Sequence, residues 1–135
     1  MKKSILFFSV FLFFGMLLTS CKKNDEPKED DGGKSKSELI VGTWERTYKE
    51  DGFTNIENIV FEKDNSYTNT IRYEGYDEPY MTQKCIWNIA KDNLILTIKN
   101  TTIVMTYPIK QVDGKTLIIE EWDFDYNECT FTKVK

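Results

Sequence analysis

The chain has 135 residues, of which 40% are hydrophobic and 30% charged, and its formal net charge is −4. It contains no histidine, which removes the commonest general base and zinc ligand and excludes Ser-His and Cys-His nucleophile systems. Residues 38–135 carry 11 Lys and Arg against 17 Asp and Glu. This acidic balance argues against nucleic acid and anionic membrane surfaces as partners.

The first 21 residues have the layout of a secretory signal that ends at a cysteine. Lys2 and Lys3 precede an apolar run over residues 5–18, which is shorter than the roughly 20 residues of a membrane-spanning helix. The segment LTSC at residues 18–21 resembles the lipobox of bacterial lipoproteins. That resemblance implies removal of residues 1–20 and a stable lipid anchor on Cys21. An ordinary secreted protein with an incidental cysteine is the alternative.

Residues 21–37 are polar throughout and predict a lipidated, disordered tether, because they hold no large apolar side chain after Cys21. The Lys-then-acidic stretch after Cys21 also resembles the export signal of surface-exposed lipoproteins in some Gram-negative bacteria. We therefore expect an outer-membrane lipoprotein of the cell envelope, held to the membrane through Cys21 and exposed at the surface. A plain tether on the periplasmic side remains the alternative.

Residues 38–135 predict one all-β domain. Residues 36–41, at the entry to this domain, are also compatible with a short helical turn. Short runs of β-branched and aromatic residues are separated by turn signals such as Asp51-Gly52 and Asp113-Gly114. The predicted strands cover residues 41–49, 55–62, 66–73, 80–89, 94–99, 102–109, 116–122 and 127–134. Each strand has one apolar face, with residues 103, 105, 107 and 109 sharing one such face. This pattern favours an eight-stranded antiparallel up-and-down β-barrel, whose closure removes exposed strand edges.

Motifs along this domain resemble the lipocalin-like domain of bacterial lipoproteins. Gly42-Thr43-Trp44 is similar to the Gly-x-Trp opening of lipocalins, and FEKDNSY at residues 61–67 is similar to a Phe-x-x-Asp-Gly-x-Tyr hairpin with Asn65 in place of Gly. Residues 86–89, 93–96, 107–109 and 130–133 continue the match. The resemblance implies a small lipocalin-type barrel in which Lys133 packs over buried Trp44, and it implies no ligand.

Several large aromatic residues fall on the predicted inward face, where they either line a cavity or fill it. They are Phe61, Tyr67, Tyr73, Trp87, Tyr107 and Phe131. A lined cavity predicts a non-catalytic binding module for a small hydrophobic ligand. A filled barrel predicts an accessory or inhibitory lipoprotein that binds an envelope protein. We expect no enzyme, cofactor or metal, because no acid–base or nucleophile constellation is evident.

Two cysteines remain if Cys21 carries lipid. Cys85 and Cys129 either form a disulfide, as exported proteins permit, or stay as two buried thiols. They fall on the fourth and eighth strands, which lie on opposite sides of a barrel, whereas a disulfide needs Cα atoms within about 7 Å.

Two further motifs lie in predicted turns. Residues 123–127 have the D-x-D-x-N spacing of a calcium loop, but Glu128 replaces the glycine and no glutamate stands at the twelfth position, so we interpret them as a solvated acidic hairpin. Tyr73, Tyr76 and Tyr80 flank acidic residues, which is typical of a recognition surface for sugars or proteins. A polar loop with partly packed rings is the alternative.

Overall fold

One short helix precedes eight strands in the computed structural model, which describes residues 33–120 and 128–135. The elements are α1 (Lys36–Ile40), β1 (Gly42–Glu50), β2 (Phe53–Phe61), β3 (Ser66–Tyr73), β4 (Met81–Ala90), β5 (Asn93–Ile98), β6 (Val104–Val112), β7 (Thr116–Glu120) and β8 (Glu128–Lys133). The strands pair antiparallel in chain order and β8 pairs with β1, which closes the barrel. The predicted all-β, eight-stranded up-and-down barrel is therefore confirmed.

The boundaries of some elements differ from the prediction. Strand β6 continues to Val112 because its register against β7 shifts between Ile109 and Gln111, and this irregularity absorbs an extra residue. Ile103, expected on the inward face, precedes β6 and is 55% exposed. Lys36 and Ser37, which the sequence assigns to the tether, belong to helix α1.

Helix α1 begins at this point because Ser35 and Glu38 form a capping box. The Ser35 side chain accepts a hydrogen bond from the backbone amide of Glu38, and the Glu38 carboxylate accepts one from the Ser35 amide at 2.8 Å. The hydrogen bonds that the Ser35 amide and hydroxyl donate to this carboxylate lower the pKa of Glu38. Leu39 and Ile40 are buried, so the helix covers one end of the barrel, which we call the helix end.

The opposite end, which we call the far end, is formed by the connections β1–β2, β3–β4 and β5–β6. The first of these is a two-residue turn in which Asp51 and Gly52 have φ angles of 51° and 83°. Such a turn matches the twist of a hairpin and pairs Glu50 directly with Phe53. The chain therefore enters the barrel through α1 at the helix end, opposite the far end.

Candidate functional site

The helix-end half of the interior is filled by aromatic rings. Phe61 and Phe131 are 0% and 1% exposed, and Trp87 and Tyr67 are also buried. The Phe61 ring centroid lies 5.1 Å from that of Tyr67 and 5.7 Å from that of Trp87, the latter edge to face. Rings without exposed surface adjoin no water-sized space. These four members of the predicted cavity lining are therefore parts of one packed core.

The other two predicted lining residues occupy different environments. Tyr107 on β6 packs against the same core but keeps partial exposure, and its hydroxyl donates to the Met105 sulfur at 3.4 Å. Tyr73 lies at the end of β3, among rings of the far end. The six aromatic residues thus do not form one continuous cavity wall.

Trp44 and Lys133 hold the helix end together. They are register partners on β1 and β8, and the Lys133 ammonium lies 5.0 Å from the centroid of the fully buried Trp44 ring. Trp44 Nε1 donates to the carbonyl of Ile40 at 2.7 Å, and Lys133 Nζ donates to the carbonyl of Leu39 at 3.0 Å. Both side chains therefore satisfy the carboxyl end of α1, and their role in the structure is to dock the helix on the barrel.

A buried ion pair occupies the interior on the β1–β3 side. Arg46 Nε donates to Glu57 Oε2 at 2.6 Å, and Asn69 Nδ2 donates to Glu57 Oε1 at 2.7 Å. The Glu57 side chain is 4% exposed and that of Arg46 is 17% exposed. Because both carboxylate oxygens accept charge-assisted or amide hydrogen bonds, the cost of burying Glu57 is offset.

The alternation of side chains along β1 and β2 indicates this pair, although no sequence motif marks it. Alternation from Trp44 places Arg46 inward, and alternation from Ile59 does the same for Glu57. The two-residue turn at Asp51-Gly52 then sets the register that makes Arg46 and Glu57 direct neighbours.

Further contacts fix the Arg46 guanidinium in the interior. Its Nη1 donates to the Cys129 sulfur, and its central carbon lies 4.6 Å from the Tyr48 ring centroid and 5.1 Å from that of Phe131. Burial, followed by the charge of Glu57, raises the pKa of Tyr48, so this phenol stays neutral near pH 7. The polar half of the interior is therefore a connected network rather than a set of separate groups.

Two asparagines extend this polar region. Asn55 is 2% exposed, and its Oδ1 accepts a hydrogen bond from the Tyr80 hydroxyl at 2.9 Å, which ties the β3–β4 connection to the interior. Asn69 Oδ1 is buried and accepts no hydrogen bond within residues 33–120 and 128–135. The interior on this side is therefore hydrogen-bonded and charged, which fits neither an apolar cavity nor an apolar filling of the barrel.

Four aromatic rings form an exposed cluster at the far end, which we call the aromatic lip (Phe53, Tyr73, Tyr76 and Tyr80). Tyr73 stacks on Tyr80 with centroids 4.5 Å apart, and its centroid lies 5.1 Å from Phe53 and 6.4 Å from Tyr76. Phe53, Tyr76 and Tyr80 are 58%, 66% and 50% exposed. The rings stack on one another and still present a large apolar surface to solvent, which is typical of an interaction site.

Hydrogen bonds fix the two connections that carry the aromatic lip. The Glu74 amide donates to the Thr54 carbonyl and the Tyr80 amide to the Ile71 carbonyl, each at 2.9 Å. Arg72 Nη1 donates to the Tyr76 carbonyl at 3.3 Å. The predicted cluster of Tyr73, Tyr76 and Tyr80 is therefore brought together, and Phe53 is a member that sequence reasoning missed because it lies 20 residues earlier.

Exposed carboxylates lie on the same two connections as the aromatic lip. We call them the lip carboxylates, and they belong to Glu50, Asp51, Glu74, Asp77 and Glu78. None of the five forms an ion pair with another residue in the part of the chain that the structure describes. The far end therefore combines apolar rings with uncompensated negative charge.

The remaining site predictions have mixed outcomes. Cys85 and Cys129 are buried and are not bonded to each other, and burial raises the pKa of the Cys85 thiol. Cys21 and residues 123–127 lie outside the described residues. Within residues 33–120 and 128–135, no three ligand side chains are grouped to hold a metal ion. In the same part, no helix has the length and hydrophobicity to cross a bilayer.

Comparison of the sequence with protein-family models, with curated proteins and with solved structures found no match.

Proposed function

We propose that this chain is a membrane-anchored, non-catalytic lipoprotein whose filled barrel is a scaffold that binds an envelope protein through its far end. The observation that carries this proposal is the difference in exposure between the aromatic rings inside the barrel and those of the aromatic lip. Phe61 and Phe131 have no free surface inside the barrel, whereas Phe53 and Tyr76 are more than half exposed on the aromatic lip. The exposed rings are therefore better placed to meet a partner.

The polar interior also favours a protein partner over a hydrophobic ligand inside the barrel. A hydrophobic ligand on the β1–β3 side would lie against Arg46, Glu57 and Asn69, and it would offer no hydrogen bonds to them. Placing an apolar group there would further desolvate a charged pair without compensation. A ligand on the helix-end side would have to displace packed rings.

The position of the tether supports an orientation. With lipid on Cys21, the 14 residues between it and α1 span at most about 50 Å and about 20 Å on average if flexible. Because α1 covers the helix end, the lipid is attached to that side of the barrel. The aromatic lip is then at the end of the barrel opposite the lipid attachment, where a partner has access.

A second candidate function, the binding of a small hydrophobic ligand, is supported by one observation. On the β4–β6 wall the inward-facing Ile98, Met105 and Tyr107 are only partly buried, whereas Ile59 on the opposite wall is fully buried. A recess against these three residues would accept a small apolar group. Saturable binding of a hydrophobic fluorescent probe, weakened by Met105→Asp, would favour this candidate.

The experiment that tests the protein-binding proposal is purification of the full chain from membranes in mild detergent. We expect one stoichiometric protein partner with the native chain and its loss with the double variant Phe53→Ser and Tyr76→Ser. The control is Ile86→Ser, which removes a 49% exposed apolar residue from the outer face of β4. Retention of the partner by the double variant, or its equal loss from the control, would contradict binding at the far end.

A further inference from the structure

We infer that the aromatic lip and the lip carboxylates form a docking surface for a basic protein segment, one that brings Lys or Arg side chains against the rings. This inference rests on the proposed function and specifies the chemistry of the partner. The juxtaposition that carries it is the placement of four aromatic rings among five carboxylates on two adjacent hairpins.

The rings supply the first part of the argument. Phe53, Tyr76 and Tyr80 together expose much of their surface, and the Tyr73–Tyr80 stack holds them in a fixed arrangement. An aromatic face attracts an ammonium or guanidinium group, and it also receives the aliphatic stem of a Lys or Arg side chain. An exposed aromatic surface of this kind therefore favours long cationic side chains over small inorganic ions.

The charges supply the second part, because three acidic residues of the helix end have internal partners that the lip carboxylates lack. At the helix end Asp92 pairs with Lys36, Asp64 accepts hydrogen bonds from Ser66, and Asp113 accepts from the amides of Lys115 and Thr116. These carboxylates stabilise turns and the docking of α1. The lip carboxylates have no ion pair within the described residues, so their charge remains available to a partner.

The cations near the lip do not cancel this charge. Arg72 is hydrogen-bonded to the Tyr76 carbonyl, and Lys49 is exposed at the end of β1. Five carboxylates against these two cations give the surface a negative field, which steers cationic partners and repels acidic ones. Nucleic acid and anionic lipid headgroups have the wrong sign for it.

The spacing of the groups favours an extended segment over a single ion. The lip carboxylates lie at residues 50–51 and 74–78, on the two connections that the Phe53–Tyr73 ring contact links. In the described part of the chain no three of these side chains converge as metal ligands would. A peptide with several cationic side chains can contact both connections at once, whereas a single ion cannot.

The test is calorimetric titration of the full chain in non-ionic detergent with hexalysine, with hexaglutamate as the opposite-charge probe. We expect saturable binding of hexalysine only, and weaker binding as the salt concentration rises from about 50 to about 300 mM. The double variant Asp77→Asn and Glu78→Gln should raise the Kd by about three- to tenfold. Tyr76→Ala should raise it by about two- to fivefold.

The matched control removes two carboxylates elsewhere, in the double variant Glu45→Gln and Glu62→Gln. Glu62 is exposed at the helix end and Glu45 lies on β1 outside the lip, so the Kd should stay within about 1.5-fold of native. Absence of hexalysine binding, or an equal loss in both double variants, would overturn the inference.

The outcome separates this inference from the proposed function. A native partner lost with Phe53→Ser and Tyr76→Ser, together with no hexalysine binding, would overturn the basic segment and leave the protein-binding function standing. Absence of both a native partner and hexalysine binding would contradict the proposed function and this inference together. Binding of hexaglutamate as tightly as hexalysine would also overturn the inference, because a specific charge would then not be recognised.

Discussion

Arg46 and Glu57 face each other across β1 and β2 and form an ion pair inside the barrel, with Nε and Oε2 2.6 Å apart. The cost of burying the Glu57 carboxylate is offset because Arg46 and Asn69 donate hydrogen bonds to both of its oxygens. The pair therefore marks this side of the interior as a structural core, in which the buried carboxylate of Glu57 has partners for both oxygens.

The ion pair leads to the first prediction. Glu57→Gln or Arg46→Met alone should lower the free energy of unfolding by about 3 kcal/mol, because each leaves a buried charge uncompensated. The double variant Arg46→Met and Glu57→Gln removes both charges and keeps an acceptor for Asn69, so it should recover most of that loss. Urea unfolding followed by tryptophan fluorescence measures all three. A double variant no more stable than the single ones would show that the pair is not the source of the effect.

The helix end provides the second prediction. Trp44→Ala should cost about 3–5 kcal/mol and lower the melting temperature by more than about 12 °C, since it removes a fully buried ring and its bond to Ile40. Lys133→Met keeps the packing of the stem and should cost only about 0.5–2 kcal/mol. Calorimetry measures both variants. An unchanged melting curve for Trp44→Ala would contradict the role of Trp44 in stabilising the core.

The third prediction concerns Gly42, which has a φ of 134° and lies against the chain terminus. An added Cβ would overlap the Lys135 carbonyl oxygen and the Lys133 stem, so Gly42→Ala should cost about 2 kcal/mol or more. The matched control is Gly52→Ala, which has a φ of 83° but open space around it and should cost only about 1 kcal/mol. Equal losses in chemical denaturation would refute the role of the steric overlap.

The fourth prediction concerns the cysteines. Cys85 and Cys129 are buried thiols, so an alkylating reagent should label neither in the folded domain and both after unfolding without reductant. Mass spectrometry counts the labels. A requirement for reductant before labelling would instead demonstrate the disulfide that the sequence leaves open.

Much of the fold could be predicted from the sequence, because it depends on local patterns. Alternating side chains define the faces of strands, and turn residues such as Asp51-Gly52 and Asn65, with its φ of 66°, define the hairpins. The end of β6 could not be predicted, because the irregularity at Ile109 follows from pairing with β7. The choice between a lined and a filled interior stayed open in the sequence, because it depends on three-dimensional packing of Phe61 with Tyr67 and Trp87, which no local pattern reveals.

The candidate site could be predicted only in part for the same reason. Tyr73, Tyr76 and Tyr80 are close in sequence, so the sequence predicts them as a group. Phe53 joins them only through the pairing of β2 with β3. The charge of the far end likewise arises from two separate connections that the barrel brings together.

Site-specific photo-cross-linking in cells tests the central claim, that a filled barrel binds its partner at the far end, most directly. A photoreactive phenylalanine analogue is placed at Tyr76 on the lip, at Lys63 near the helix end, and at Ile86 on the outer face of β4, all of which are exposed. We predict one discrete protein adduct from Tyr76 and none from the other two positions. Absence of an adduct from Tyr76, or the same adduct from Lys63, would contradict the account.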